Sequence, residues 1–537
     1  MEEYDFIVVG AGSAGCAVAA RLTERPGLEV LILEAGGADS RPEFHIPAAF
    51  PHLFQTPFDW GYRTVPQAGL NGRQEINPRG KVVGGSSSIN AMIFMRGNPH
   101  DYNRWAALGN AGWAWDDLMP YFRKTQHQQR GESAHHGVGG PIYTSDLRDP
   151  NPLSRAFVEA ATQAGYAPND DFNAGEQTGF GLFQVTQKDG MRCSAADGYL
   201  RPALERTNLT AITEAHVTQL LIKDGRCVGV AYLKDGETYQ ARARHEVILS
   251  GGAINSPQVL MLSGIGPAAQ LRRHGIAVQV DLPGVGQHLQ DHMFVPIAYH
   301  CTQPITLANA ESPEQVALFQ HEHMGMLTSN LGEAGGFIDL GLDGSPELQF
   351  IFGPLWFIHH GAGNPAGHGY TLLPGVVRPH SVGSVTLASA NPLDKALVDP
   401  NYYGDPRDLE LMKQGVAVAL TIAGQPAFAP YRGEQYLPGS AANTPETLEN
   451  FIRDNTMTLY HPVGTCKMGQ DELAVVDATL KVRGIAGLRV ADASIMPLII
   501  NANCNIPTMV IGEKCADLIL QELSAPQGAF RTSSAAL

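Results

Sequence analysis

The first forty residues constrain this chain most. Residues 5–10 read DFIVVG, a short β-branched run of the kind buried in a parallel sheet. Gly10, Gly12 and Gly15 follow in GAGSAG, then the alanine-rich segment CAVAARL, then a second strand, EVLILEAG, carrying Glu34 at its end. Each part has a task. Gly10 makes the tight turn, Gly12 lets backbone approach a pyrophosphate, and Gly15 permits close helix–strand packing. The helix N-terminus stabilises phosphate charge, and Glu34 is placed to accept from a ribose hydroxyl. Strand, glycines, helix, strand and terminal acid in register read as a dinucleotide-binding βαβ unit.

The fingerprint serves NAD and FAD alike, and no second GxGxxG occurs downstream. With FAD, the reductant is the substrate itself, and the electrons leave to dioxygen or another acceptor. Two further glycine-rich segments stand out. Residues 80–90 read GKVVGGSSSIN and continue to Asn103, a run of backbone N–H groups and hydroxyls with little bulk, able to lie flat on a rigid cofactor. Residues 252–266 read GAINSPQVLMLSGIG after the strand-like EVILSGGA, so the chain returns to the nucleotide-binding sheet there. Late in the chain, GLRVADASIMP (487–497) gives another short strand leading to Asp492, an acid able to meet a ribityl hydroxyl or a pyrophosphate-bound water.

On these segments the chain resembles the glucose–methanol–choline (GMC) flavoprotein oxidoreductases, choline and alcohol dehydrogenases among them, along nearly all its length. The runs 80–103 and 252–266 fit that family's two signatures. The resemblance implies a mixed α/β fold. A Rossmann-type FAD-binding domain, discontinuous in sequence (1–145, 190–295 and 452–537), sits beside a substrate domain (146–189 and 296–451) with an antiparallel sheet flanked by helices. It further implies that Gly10, Gly12, Ser13, Ala14, Gly15, Glu34 and Ala35 hold the ADP half, with Val217 beside the adenine. Val83, Gly85, Asn90, Ala91, Met92 and Ile93 would line the ribityl chain and flavin. Asp492 and Ala493 fall near the pyrophosphate, and Pro507 and Thr508 near the pyrimidine end. Trp60 matches a position close to the cofactor, though a packed loop aromatic is an equal reading of that residue. Members that attach FAD covalently carry histidine immediately before the asparagine; Ile89 stands there, so FAD is expected to be non-covalent.

Among nineteen histidines, His461 in TLYHPVGTCKMG matches the family's catalytic base, and NCNIPT supplies Asn505 as its companion. Alcohol oxidation needs a group that accepts the hydroxyl proton, and an imidazole with a pKa of about 6.5 suits that task. An asparagine cannot take the proton, but it hydrogen-bonds the oxygen as alkoxide character develops. His288 and His292 read as structural, and the pairs His135–His136 and His359–His360 as solvated loop residues. No spaced ligand set marks a metal site. Tyr460, beside the histidine, and Trp356, in the aromatic run LQFIFGPLWF, are candidates for the substrate pocket.

Composition narrows the partners. Lysine and arginine number 37 against 53 acids, a net −16 with no basic run, which argues against nucleic acid. The N-terminus shows no cleavage signal and no stretch nears the ~20 apolar residues of a bilayer span. A cytoplasmic enzyme is expected, with peripheral membrane contact left open. The expected partners are an alcohol and a quinone, carrier or dioxygen as acceptor; a hydroxynitrile lyase of the same family is the alternative. The last residues, 525–537, read as a disordered tail.

Overall fold

A computed structural model describes residues 2–525, and all but the first residue of the expected tail lies outside them. The apolar DFIVV run forms the inner half of β1 (Glu2–Val9) and is buried throughout. A strand buried on both faces needs parallel neighbours covered by helices. β1 accordingly lies between β2 (Val30–Leu33) and the strand Glu237–Leu249, parallel to both. Strand Leu209–Ile212 extends the sheet beyond β2, also in parallel.

The thirteen-residue strand Glu237–Leu249 serves two neighbourhoods. Its exposed first half pairs antiparallel with Arg226–Lys234, while its apolar end, Val247–Leu249, pairs in parallel with Leu488–Val490. The seven-stranded sheet is therefore closed by residues from the far end of the chain. Helix α1 (Ser13–Leu22) packs against the last helix, Asn505–Ser524, pinned by an ion pair between Arg21 and the buried Glu513.

A second, eight-stranded sheet stands opposite. Its antiparallel path runs through Arg432–Leu437, Ile297–Cys301, Gly369–Val376, Leu348–Gly353, Ala334–Ile338 and Gly179–Leu182. Side-chain alternation divides its faces. Phe350 and Phe352 join the cluster under helices Pro152–Gln163 and Pro406–Ala423. Ile351 and Leu373 belong to the core shared with the first sheet. The strand Gly383–Thr386 and its partner Leu397–Asp399, expected in the substrate part, pair instead with Gln287–Leu289 and pack on Ile254 of helix Gly252–Leu262. Among the described residues, no helix is long and apolar enough to cross a membrane.

Candidate active site

A cleft of about 590 Å³ opens where the parallel strands end, at Val9, Leu33 and Leu249, and its far wall carries Phe294, Ile351 and Leu373 of the second sheet. Ligands of open α/β sheets bind at these carboxyl ends. Gly10, Gly12, Ser13 and Ala14 form the floor at the N-terminus of α1. Gly15 is not on the wall: a Cβ there would lie 1.9 Å from the Gly10 carbonyl oxygen, so it sets the helix–strand approach. The Glu34 carboxylate accepts from the Ala11 and Gly36 N–H groups at 2.9 and 2.8 Å. Burial pushes Glu34 up to about 7 against those bonds. Ala35, Val217 and Trp60 complete this end, Trp60 lying edge-on to His216 and under the Lys81 ammonium at 5.1 Å.

Further along lie Gly85, Asn90, Ala91, Met92 and Ile93. Gly85 faces Gly12 across the cleft floor at φ 55°, and a Cβ on it would sit 2.8 Å from the Gly12 Cα. Asn90 Oδ1 accepts from the Met92 N–H and from Arg192, which holds Met92 in the left-handed region at φ 56°. Asp492, Ala493 and Thr508 also line the cleft, and the Asp492 carboxylate accepts from the Gly252 N–H and the Ser256 hydroxyl at 2.9 and 2.6 Å. Besides Gly15, two expected cofactor contacts lie off the wall. Val83 spends its N–H on the Gly37 carbonyl, and Pro507 is buried in the first turn of the last helix.

His461 stands at the inner end, on the wall. Its N–H donates to Asp291 Oδ1 at 2.8 Å, and Asp291 Oδ2 accepts from the Tyr402 and Thr458 hydroxyls, each at 2.6 Å. Tyr460 is left-handed, φ 67°, so the chain turns sharply into the histidine. The family resemblance pairs His461 with Asn505, and the structure does not. Asn505 opens the last helix and its Oδ1 accepts from Ser13 Oγ at 2.7 Å. Asn503, two residues earlier and still outside the helix, brings Nδ2 to 3.4 Å from His461 Nε2. Gln349 Nε2 in turn donates to Asn503 Oδ1 at 3.1 Å, and its own amide is buried.

On the other side of the ring, His461 Nδ1 lies 2.9 Å from Nδ1 of the fully buried His292. Burial holds His461 well below the usual imidazole range, with His292 and the Arg79 guanidinium adding to it. Burial pushes His292 down to about 3, against the pull of the Val377 and Ile500 backbone. Both rings are neutral at neutral pH. Arg79, half-buried on the cleft wall, donates to the Tyr460 carbonyl at 2.7 Å. With Gln349 Nε2 facing Asn503 Oδ1 and Asn503 Nδ2 facing His461 Nε2, the chain Gln349–Asn503–His461–His292 runs in one direction. Each group donates to the next, His461 through Nδ1–H, leaving a lone pair on Nε2 beside the Asn503 amide. That is a proton acceptor next to a hydrogen-bond donor.

Several residues depart from their sequence reading. His292 touches the ring of His461. His360 is bonded through Nδ1 to the Tyr460 hydroxyl at 2.6 Å and through Nε2 to Glu75. His136 is buried against Asp171 and Gln126. Trp356 lies off the cleft wall, meeting His300 and Tyr436 edge-to-face and donating to the Gly367 carbonyl. Phe357, its neighbour, takes the place on the wall.

Family models described as GMC oxidoreductase match residues 4–294 and 379–512. This chain belongs to the GMC oxidoreductase family. It is 43% identical to an alcohol dehydrogenase [acceptor] of Pseudomonas putida, over 97% of this chain and 96% of that one. It is 45% identical to the mitochondrial choline dehydrogenase of Homo sapiens, over 96% of this chain and 90% of that one. Among solved structures, a formate oxidase variant of Aspergillus oryzae, studied for its FAD modification, superposes with a TM-score of 0.92 at 30% identity, covering 97% and 98% of the two chains. Oxidoreductases of this family use FAD. The cleft fits that group: the glycine floor leaves room that a Cβ would fill, and the Glu34 carboxylate lines it at the end of β2.

Proposed function

We propose that this oxidoreductase converts a primary alcohol to the aldehyde with FAD held non-covalently, and that His461 and Asn503 act on the substrate hydroxyl. The observation that carries the reading is the half-buried imidazole on the cleft wall whose Nε2 faces the Asn503 amide, in surroundings that disfavour its protonation. Its named relatives, an alcohol dehydrogenase and a choline dehydrogenase, support a CH–OH donor. When bound, FAD supplies the acceptor for the carbinol hydrogen and its electron pair, at N5 of the ring.

The chain's own residues do the rest. His461 Nε2 takes the hydroxyl proton, and its Nδ1–H, held by His292, fixes the tautomer that leaves Nε2 free. Asn503 Nδ2 turns from that nitrogen to the substrate oxygen as negative charge develops there. Gln349 holds the Asn503 carbonyl, so that the amide presents its N–H and not its oxygen. In this reading Asn503 takes the role that the family resemblance gave Asn505, and Asn505 serves the cofactor side through Ser13. Ile89, buried with Phe44, Leu53 and Val82, presents no nucleophile, which supports non-covalent FAD. The parts 1–145, 190–295 and 452–537 form the cofactor domain and 146–189 and 296–451 the substrate domain, apart from the strands Gly383–Thr386 and Leu397–Asp399; both contribute to the wall beyond His461, the first through Phe54, Phe294 and Tyr460 and the second through Ile351, Phe357 and Leu373. The electrons pass on to a quinone or other carrier, or to dioxygen.

An anaerobic spectrum of the purified holoenzyme, mixed with an alcohol panel and then opened to air, tests this. The flavin band is expected to bleach, and His461→Ala to slow bleaching on the order of 100- to 10,000-fold while retaining FAD. The active form is the neutral imidazole, so the bleaching rate should stay level through neutrality. It should fall only as pH drops through a value well under 6.5 and the ring protonates. A flavin that no alcohol bleaches sinks the reading. Rapid recovery in air identifies dioxygen as acceptor; slow recovery that an added quinone speeds identifies the dehydrogenase form.

A further inference from the structure

Beyond His461 the cleft is walled by a continuous arc of aromatic rings. Phe50 meets Phe54 at 5.8 Å between centroids, Phe54 meets Tyr460 at 5.6 Å, Tyr460 meets Phe294 at 6.5 Å, and Phe294 meets Phe357 at 6.3 Å. Ile351, Leu373 and Leu331 fill the remainder. The one hydroxyl in the arc, on Tyr460, is taken up by His360, and His360 by Glu75, which is also paired with Arg73. Glu75 itself does not line the cleft.

The carboxylates that line the cleft are Glu34, Asp59, Asp394 and Asp492, and each is engaged elsewhere. Glu34 and Asp492 accept from the turns beside the glycine floor. Asp59 accepts from the Gln55, Gly61 and Arg79 N–H groups, and Asp394 from Ser389 and Asn391 in an exposed turn. No carboxylate among the described residues faces the aromatic arc. Asp291, which accepts the His461 backbone N–H, does not line the cleft; the charged group that lines it beside His461 is the Arg79 guanidinium, bonded to the Tyr460 carbonyl at 2.7 Å.

We propose that this pocket takes uncharged, apolar primary alcohols and turns away alcohols bearing a quaternary ammonium group. The proposal rests on the reading of His461 and Asn503 as the reacting end. A trimethylammonium group entering here sheds its water and gains cation–π attraction from the ring faces, but it finds no carboxylate partner to complete the compensation that a buried charge needs. A tert-butyl group of the same shape sheds water favourably and packs against the same rings. The influences that keep His461 unprotonated, burial and Arg79, act in the same direction on any cation beside it. The 45% identity to a choline dehydrogenase therefore does not extend to its substrate.

The test compares choline with its neutral isostere, 3,3-dimethylbutan-1-ol, on the holoenzyme, reading kcat/KM for flavin bleaching, with hexan-1-ol and benzyl alcohol alongside. The isostere should be preferred by about 100-fold or more, the discrimination that a buried group left without its partner produces. Phe54→Glu, which adds a carboxylate at a half-buried position of the arc, should retain FAD and shift the ratio toward choline by at least tenfold. Equal or better use of choline by the wild type overturns the proposal, as does an unchanged ratio in a Phe54→Glu protein that retains FAD. If no alcohol bleaches the flavin, the oxidation reading fails instead. The pocket is then read by titrating both compounds against the flavin spectrum, where tighter binding of choline overturns the proposal and tighter binding of the isostere upholds it.

Discussion

Asn503 and Asn505 point to opposite sides of the same turn, and their separation assigns two different losses to two neighbouring substitutions. Asn503→Ala should slow flavin bleaching on the order of 100- to 1,000-fold, the range seen when a single oriented donor is removed from a reacting oxygen. Asn505→Ala should leave the rate of bound flavin near normal but weaken FAD retention by about 1 kcal/mol, through the lost Ser13 bond. Stopped-flow traces and flavin content after gel filtration separate the two. Gln349→Leu should cost about tenfold in rate, roughly 1.4 kcal/mol, and nothing further in an Asn503→Ala background, because both act through one amide. Equal losses in both backgrounds would show that Gln349 acts elsewhere. The match of HPVGT to the family pointed to His461, and His461 lies on the cleft wall. The sequence left Asn503 and Asn505 open to confusion, because only the start of the helix decides which side chain turns back to the histidine. His292 could not be read at all: it lies 169 positions away from His461 and meets it only through the fold. Gln349 carried a faint signal, a lone amide inside the apolar run LQFIFG.

At the scale of elements, α1 and β1 are locked by a contact that only glycine permits. Gly15→Ala would drive a Cβ into the Gly10 carbonyl, so α1 must back away from the sheet and its N-terminus from the phosphate site. We expect a destabilisation of about 1–3 kcal/mol and a protein purified largely without FAD, measured by thermal midpoint and by the flavin-to-protein absorbance ratio. Normal flavin content would place the pyrophosphate elsewhere. This βαβ unit was fully legible, because short-range periodicity and glycine spacing are local. The aromatic run 350–357 was not. Strand alternation sends Phe350 and Phe352 to the far face, and the loop after the strand turns Trp356 outward and Phe357 inward. Those directions depend on a sheet register that composition does not record. His360 was misread for a related reason: a glycine-rich loop looks solvated in sequence, yet this one folds back onto Glu75 and Tyr460.

At the scale of the whole molecule, the cleft joins two sheets, and whatever fills it binds both. Added FAD at 100 times its dissociation constant should contribute about 2.7 kcal/mol to unfolding. Calorimetry of apo- and holoprotein should show the transitions of both sheets moving upward together; a shift confined to one would mean that the other does not grip the cofactor. The two-part architecture was legible from the return of glycine-rich segments late in the chain. The fine boundary was not, since the strands Gly383–Thr386 and Leu397–Asp399 cross over to helix Gly252–Leu262. The late strand Leu488–Val490 also sets a schedule for synthesis. Its partner, Glu237–Leu249, leaves the ribosome roughly 240 residues earlier, an interval of about 10–50 s at ordinary elongation rates. Throughout that interval the nascent sheet has an unpaired apolar edge, and for most of it no His461, so we expect the emerging chain to need protection from aggregation before it can take up its cofactor.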